Sequence, residues 1–408
     1  MAGHARRIPG SGVLGEAGRV PAQDPAPLRS SGLELAGSPL PLVGTARIYV
    51  CGITPYDVTH LGHAATFVWA DTLAAVVRAA GVDSQVVRNV TDVDDVLTDA
   101  AGRRGLPYDE LALTGEFTFE RDMAALGVQR VDGAPRARAH VGQVVELAAA
   151  LLATGAAYER DGEVWLRGAE IAEGSGLDLE AAARLSREFG EDSAGGAGQD
   201  RWDVPVWRRS GPDHPAWPSP WGWGRPGWHA ECAAMAWSSL GAGVDVLVGG
   251  ADLAWPHHAY QAAMVERATG VAPFARTRMH VGTVAYEGAK MAKSTGNLVL
   301  VEDLVARTSG AAVRLLLLDR AWAEAWTYEP TMLDAAAQRL QRLYAAAGRS
   351  AGTATGASAE AAPPQETEAR GAVLDLLLAD LDVAGALDLA EREGGAYARA
   401  ALSLLRLG

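Results

Sequence analysis

Lysine is nearly absent from this chain of 408 residues. Of its 36 basic side chains all but two are arginine, and the two lysines, Lys290 and Lys293, stand together in EGAKMAKSTG (287–296). The scarcity fits a coding bias that also fills the chain with Ala and Gly, so a lysine kept against it serves where arginine does not. Arginine is a rigid planar fork, whereas lysine is a compact charge on a flexible stem, suited to following a phosphate as its geometry changes. Two lysines bracketing Met291 and Ala292 between glycines therefore read as a phosphate-handling loop, with chance retention on a solvated loop as the alternative.

Basic charge in bulk is lacking as well. The formal net charge of −14 counts against a large nucleic-acid footprint and leaves room only for a local arginine patch. No run of about 20 apolar residues offers a membrane span. The opening MAGHARRIPGSGVLGEAGRVPAQDPAP has no continuous apolar core of the signal-peptide kind, so a cytoplasmic location is expected. Cysteine is limited to Cys51 and Cys232. In a reducing compartment such a pair is more often buried, catalytic or metal-bound than disulfide-linked.

What is present is a globular composition, 49% hydrophobic, in a chain long enough for two or three domains. Residues 1–44, rich in Pro, Gly, Ala and Ser, read as an N-terminal extension, either poorly ordered or wrapped on the surface. ARIYVCG (46–52) is a buried strand, HAATFVWADTLAAVVRAAG (63–81) a helix and VDSQVVRNV (82–90) a second strand. The commonest home of such a β-α-β unit is a nucleotide-binding parallel sheet. Residues 92 to about 160 are mainly helical and read as an insertion, placed at about 92–205. DGEVWLRG (161–168) is a strand, and 188–228 is a long irregular stretch dense in Gly, Pro and Trp, of a length that usually carries function. VDVLVGG (244–250) is a strand, 257–270 a helix and 276–288 extended. A main domain at 45–305 is followed by a C-terminal helical domain at 306–408, with a helix near 331–347 and a low-complexity linker at about 349–370.

Two clusters carry chemistry. CGITPYDVTHLGHA (51–64) sits where a strand hands over to a helix, so free helix amides face the crevice beyond the strand and favour phosphate. His60 and His63 flank Gly62 at a spacing that lets both imidazoles face one ligand; core or capping histidines are the bland alternative. RPGWHAEC (225–232) and GGADLAWPHH (249–258) bring Cys232, His257 and His258. Two cysteines and a histidine from three strand ends would make a zinc site with one open position. Spacing alone leaves two inert buried cysteines equally open, since no CxxC or HxxxH sharpens the choice.

Taken together, these segments resemble class I aminoacyl-tRNA synthetases. HLGH and KMAKS are similar to that family's HIGH and KMSKS, and CGITPYD, NVTDVDD, RPGWHAEC and GGADLAWPHH match its cysteine-specific branch in order and spacing. Within the branch the chain looks more like the cysteine ligases of mycothiol biosynthesis than like the tRNA ligases. It has CGITPYD for CGPTVYD, a short stretch after Ser294, and Gln261 where the tRNA ligases carry a glutamate zinc ligand.

The resemblance implies an α/β fold, a Rossmann-like parallel sheet of the class I synthetase type with a helical insertion and a C-terminal helical domain. It implies Zn²⁺ held by Cys51, Cys232 and His257. It implies a pocket for cysteine and its adenylate made of Cys51, Gly52, Ile53, Thr54, Thr66, Asn89, Val90, Thr91, Trp228, Gly250, Ala251, Asp252 and Val284. His60, His63, Lys290 and Lys293 would handle the phosphates of ATP, bound with Mg²⁺. The implied partners are L-cysteine, ATP and the amine of glucosaminyl-inositol (GlcN-Ins), with no tRNA and no membrane, and a monomeric chain. A compact cysteine-tRNA ligase, a cysteine-adenylating ligase with another amine acceptor, and a non-enzymatic binding paralogue are the competing readings; intact HLGH, lysines and metal ligands speak against the last. Three departures stand out: Ala292 for the middle Ser of KMSKS, EFGEDS (188–193) where those ligases show ERGGDP, and AWPHHAYQ after Gly250. They bear on the acceptor more than on activation.

Overall fold

A computed structural model describes residues 32–56, 58–93, 95–189, 198–212, 214–291, 296–348 and 364–408. At its centre lies a four-stranded parallel sheet in the order Ala275–Val281, Val244–Gly250, Ala46–Ile53, Ser84–Val90. The strands are apolar on both faces because both are covered. Ile48 and Val50 point into one apolar cluster with the helix Leu61–Ala79 and the C-terminal helices, while Tyr49 and Cys51 point into the other. That alternation carries Cys51 to the side where the helices Val141–Ala153, Trp228–Leu240 and Ala259–Thr269 pack. The helix Leu61–Ala79 is buried along most of its length, being sandwiched between sheet and helices.

The stretch between Ser84–Val90 and Val244–Gly250 contributes the helices Asp95–Arg104 and Tyr108–Ala125 and a second sheet. This sheet is antiparallel, in the order Ala157–Arg160, Glu163–Leu166, Val204–Arg209, Gly224–Pro226. The expected long irregular stretch at 188–228 is thereby corrected: it holds the last two of these strands. VPVWRR buries Val204, Val206 and Trp207, but its internal proline hid the strand signal. The first hairpin turns at Asp161 and Gly162, both with positive φ, the geometry an Asp-Gly pair favours.

The C-terminal part consists of the helices Val301–Arg307, Gly310–Leu318, Pro330–Ala347, Pro364–Leu378, Val383–Glu393 and Gly395–Leu404. Residues 349–363 of the expected linker lie outside the described residues, and its remainder is helical from Pro364. Most of the N-terminal extension also lies outside them. Residues 32–44 wrap the surface through a short hairpin, Glu34–Leu35 with Ser38–Pro39, and drive Leu33, Leu35, Leu40 and Leu42 into the larger cluster. Arg314 is fully buried. It donates to Asp71 Oδ2 (2.7 Å), to the Leu405 carbonyl (2.7 Å) and to the Leu126 carbonyl (3.2 Å), while Arg406 pairs with the other oxygen of Asp71. No helix among the described residues is long and apolar enough to cross a membrane.

Candidate active site

A cavity of about 1010 Å³ opens at the carboxyl ends of the parallel strands. Beyond strand Ala46–Ile53 the chain runs through Thr54 and Pro55 to His60 and enters the helix at Leu61; beyond Val244–Gly250 it turns through Asp252 to His257. Of the residues expected from sequence, Cys51, Gly52, Ile53, Thr54, His60, His63, Thr66, Asn89, Thr91, Trp228, Cys232, Gly250, Asp252, His257, Val284 and Lys290 all line this cavity. Val90 and Ala251 do not; Val90 is buried in the sheet, paired with Ile53. Lys293, with Ala292 and Ser294, lies outside the described residues, as do Gly190 to Ser193 of EFGEDS.

At the deep end the side chains of Cys51, Cys232 and His257 lie within 4.8 Å of one another, all buried. They do not come from three strand ends as expected: Cys232 sits on the helix Trp228–Leu240, and His257 in a kinked helical turn. A helix reaches the site because WHAECAAMAW presents Cys232 one turn after Trp228. His229 Nδ1 lies 2.8 Å from His257 Nδ1, which fixes the imidazole and leaves its Nε2 for a cation. Asn89 Nδ2 approaches the Cys232 sulfur at 3.4 Å, and its Oδ1 accepts from the Gly52 amide at 2.9 Å. The backbone approach at Gly52 is so close that a Cβ there would stand 1.7 Å from the Asn89 carbonyl oxygen. A hydrogen bond to Cys51 together with burial pushes the Cys232 thiol well above the usual thiol range. Two thiols and an oriented imidazole form a donor set that fits a soft divalent metal. Gln261, fully buried, meets Cys51 Sγ at 3.4 Å, so the position in question faces the cluster but offers a neutral amide. The Trp228 ring stacks on His257 at 4.2 Å and closes this end.

At the other end His60 and His63 face each other with ring centroids 4.0 Å apart. Burial, then the neighbouring His63 and Lys290, lowers the His60 imidazole to about 3; burial also lowers His63, against the pull of Asp252. Both are therefore neutral near pH 7 and act as hydrogen-bonding groups rather than as charges. Lys290 pairs with Asp252 at 2.5 Å, on the hairpin of Val284–Tyr286 with Ala289–Lys290, whose turn residues Glu287 and Gly288 have positive φ. Backbone bonds tie this end together: Leu61 donates to Val299 and Val301 to Thr59, so the histidine segment and the chain leaving the lysine loop form one short ladder. Asn297 donates to the carbonyls of Tyr286 (2.7 Å), Ala289 (3.0 Å) and Lys290 (3.3 Å).

Sequence reasoning passed over His229, Asn297 and the outer wall of the cavity, where Asp95 and Arg208 lie. His229 and Asn297 each adjoin a motif residue that had been singled out, and adjacency was the only available signal. His258 is fully buried against His280 (2.9 Å) rather than on the cavity wall.

Residues 42–338 match the family model described as tRNA synthetases class I (C) catalytic domain. An L-cysteine:1D-myo-inositol 2-amino-2-deoxy-alpha-D-glucopyranoside ligase of Mycobacterium ulcerans is 44% identical over 321 residues, which is 76% of this chain and 77% of that one. The ligase of the same name from Parafrankia sp. is 40% identical over 368 residues, 89% of this chain and 80% of the relative. Among solved structures, Mycobacterium tuberculosis methionyl-tRNA synthetase in complex with methionyl-adenylate superposes with a TM-score of 0.59. It is 17% identical and covers 90% of this chain and 82% of its own, a likeness of fold.

Proposed function

Since the chain belongs to the class I (C) tRNA synthetase catalytic-domain family, and within it to the L-cysteine:1D-myo-inositol 2-amino-2-deoxy-alpha-D-glucopyranoside ligases, we propose that it activates L-cysteine with MgATP and transfers it to the amine of GlcN-Ins. The observation that carries this reading is the convergence of the Cys51, Cys232 and His257 cluster with His60, His63 and Lys290 on one cavity.

Cys51, Cys232 and His257 would hold a zinc ion, with the neutral Gln261 in place of a fourth anionic ligand. Such an ion, when bound, supplies a soft Lewis acid that prefers a cysteine thiolate to a serine hydroxyl. The rest is the work of the chain's own groups. Asp252 and the face of Trp228 position the cysteine α-ammonium. The cysteine carboxylate attacks the α-phosphorus, the bond to the β-phosphate oxygen breaks, and pyrophosphate leaves. Neutral His60 and His63, the amides of the helix starting at Leu61, and Lys290 stabilise the charge that builds on the phosphate oxygens. Lys290 is held at the rim by Asp252, ready to exchange that carboxylate for phosphate. In the second step the neutral acceptor amine forms the C–N bond, the C–O bond to the adenylate breaks, AMP departs and the amine proton passes to solvent.

The test is cysteine-dependent ATP–pyrophosphate exchange, followed by addition of GlcN-Ins or of tRNA with AMP release as the signal. Exchange with AMP release for the amino sugar alone is the expected result; no exchange from zinc-loaded protein would sink the mechanism.

A further inference from the structure

We propose that the outer wall of the cavity, built by the helix Asp95–Arg104 and the antiparallel sheet, is the acceptor subsite, and that Arg208, Asp95 and Trp165 there bind a polyhydroxylated ring. The inference rests on the ligase reading and says where its second substrate sits.

Two parts of the cavity are already occupied by function: the metal and cysteine end, and the histidine–lysine end. Both are made by the ends of the parallel strands, the helix Trp228–Leu240 and the hairpin that carries Lys290. Asp95, Trp165 and Arg208 line the same cavity but come from the inserted elements, and neither activation nor metal binding employs them. Their chemistry suits a polyol. Arg225 grips Asp95 in a fork, Nε to Oδ1 at 2.7 Å and Nη2 to Oδ2 at 2.9 Å, and Arg208 Nη1 adds a bond to Oδ2 at 2.9 Å. His214 stands 3.7 Å from the same carboxylate. Arg225 is the buried anchor of this network, with a side chain 7% exposed, whereas that of Arg208 is 43% exposed and spends one of its five N–H groups on Asp95. Adjacent donors and acceptors held this firmly match the vicinal hydroxyls of a sugar or cyclitol, each of which both gives and takes a hydrogen bond. Trp165 supplies the third element. Its indole N–H is buried without a hydrogen-bond partner among the described residues, and its ring is an apolar surface for the C–H face of a pyranose. Buried aromatic surface with a few oriented polar groups is the usual composition of a small-molecule subsite.

The experiment uses the full chain and its Arg208→Gln and Trp165→Phe variants, measuring ATP–pyrophosphate exchange and the KM and kcat of transfer to GlcN-Ins. The acceptor KM should rise about tenfold in Arg208→Gln and about threefold in Trp165→Phe, the scale of one charged and one neutral hydrogen bond. The cysteine KM of exchange and the transfer kcat should change far less. Unchanged acceptor KM in both variants, with exchange intact, would overturn the subsite and leave the ligase reading standing. Equal losses of exchange and transfer would make the network a fold-holding one and overturn the assignment too. Failure of exchange in the parent chain would instead remove the ligase reading, and the subsite with it.

Discussion

Replacing Asn297 with Ala should cripple cysteine activation while barely loosening the fold. The Asn297 side chain, 6% exposed, bonds the carbonyls of Tyr286, Ala289 and Lys290, which form the root of the lysine loop. Its amide has two hydrogens, so two strong bonds exist at a time and the longest is shared. Two buried hydrogen bonds at about 1 kcal/mol each, plus the cost of unmet carbonyls, come to roughly 2–3 kcal/mol. That energy resides in the hairpin that aims Lys290, not in the parallel sheet and its helices. If it is lost from the transition state, exchange kcat/KM for ATP falls roughly thirty- to a hundred-and-fiftyfold. The measurement is ATP–pyrophosphate exchange over a range of ATP concentrations, beside thermal unfolding of both proteins. Exchange within about twofold of the parent would refute the reasoning, as would a large drop in Tm with exchange unaltered.

Cys232→Ser and His257→Ala should each abolish stoichiometric zinc, read by elemental analysis. His229→Ala, which frees the His257 ring, should weaken retention against a competing chelator by roughly tenfold or more. Arg314→Met should cost about 3 kcal/mol or more in urea unfolding, because it removes one of the two guanidinium groups that pair with the buried Asp71 among the described residues. Stability should also fall with acid in a defined window. The folded imidazoles of His60 and His280 sit at about 3 and about 4, below the unfolded value near 6.5, so between those limits the unfolded chain binds more protons. Stability is full above about pH 6.5 and declines as pH drops toward 3; urea midpoints that stay level from pH 7 to 4 would contradict this burial.

The parallel strands and their helices were legible because continuous apolar runs ending at glycine have few other meanings. The motif histidines, Cys51 and His257 could be picked out because each lies in or soon after such a run. Less was visible in the insertion. Val204–Arg209 contains a proline that reads as a breaker, and the strand Gly224–Pro226 is too short to announce itself. Cys232 was assigned to a strand end because local pattern does not reveal which layer a helix is pressed against. The Asp95 network was beyond reach for a simpler reason: Asp95, Arg208 and Arg225 are over a hundred positions apart in part, and charge clusters of that separation have no sequence signature.

Arg314 also bears on how the molecule is made. A guanidinium with no exposed surface cannot be set in place before its partners, and part of the network comes from far along the chain: the Leu405 carbonyl accepts from it, and Arg406 balances the Asp71 carboxylate they share. Until then a charge would sit incompletely paired beneath the helix that carries His63, at a cost of several kcal/mol. The nucleotide-binding layer and the final turn therefore form in one cooperative event. A cut before Leu405 would unsettle the helix that carries His63 as well as the C-terminal bundle.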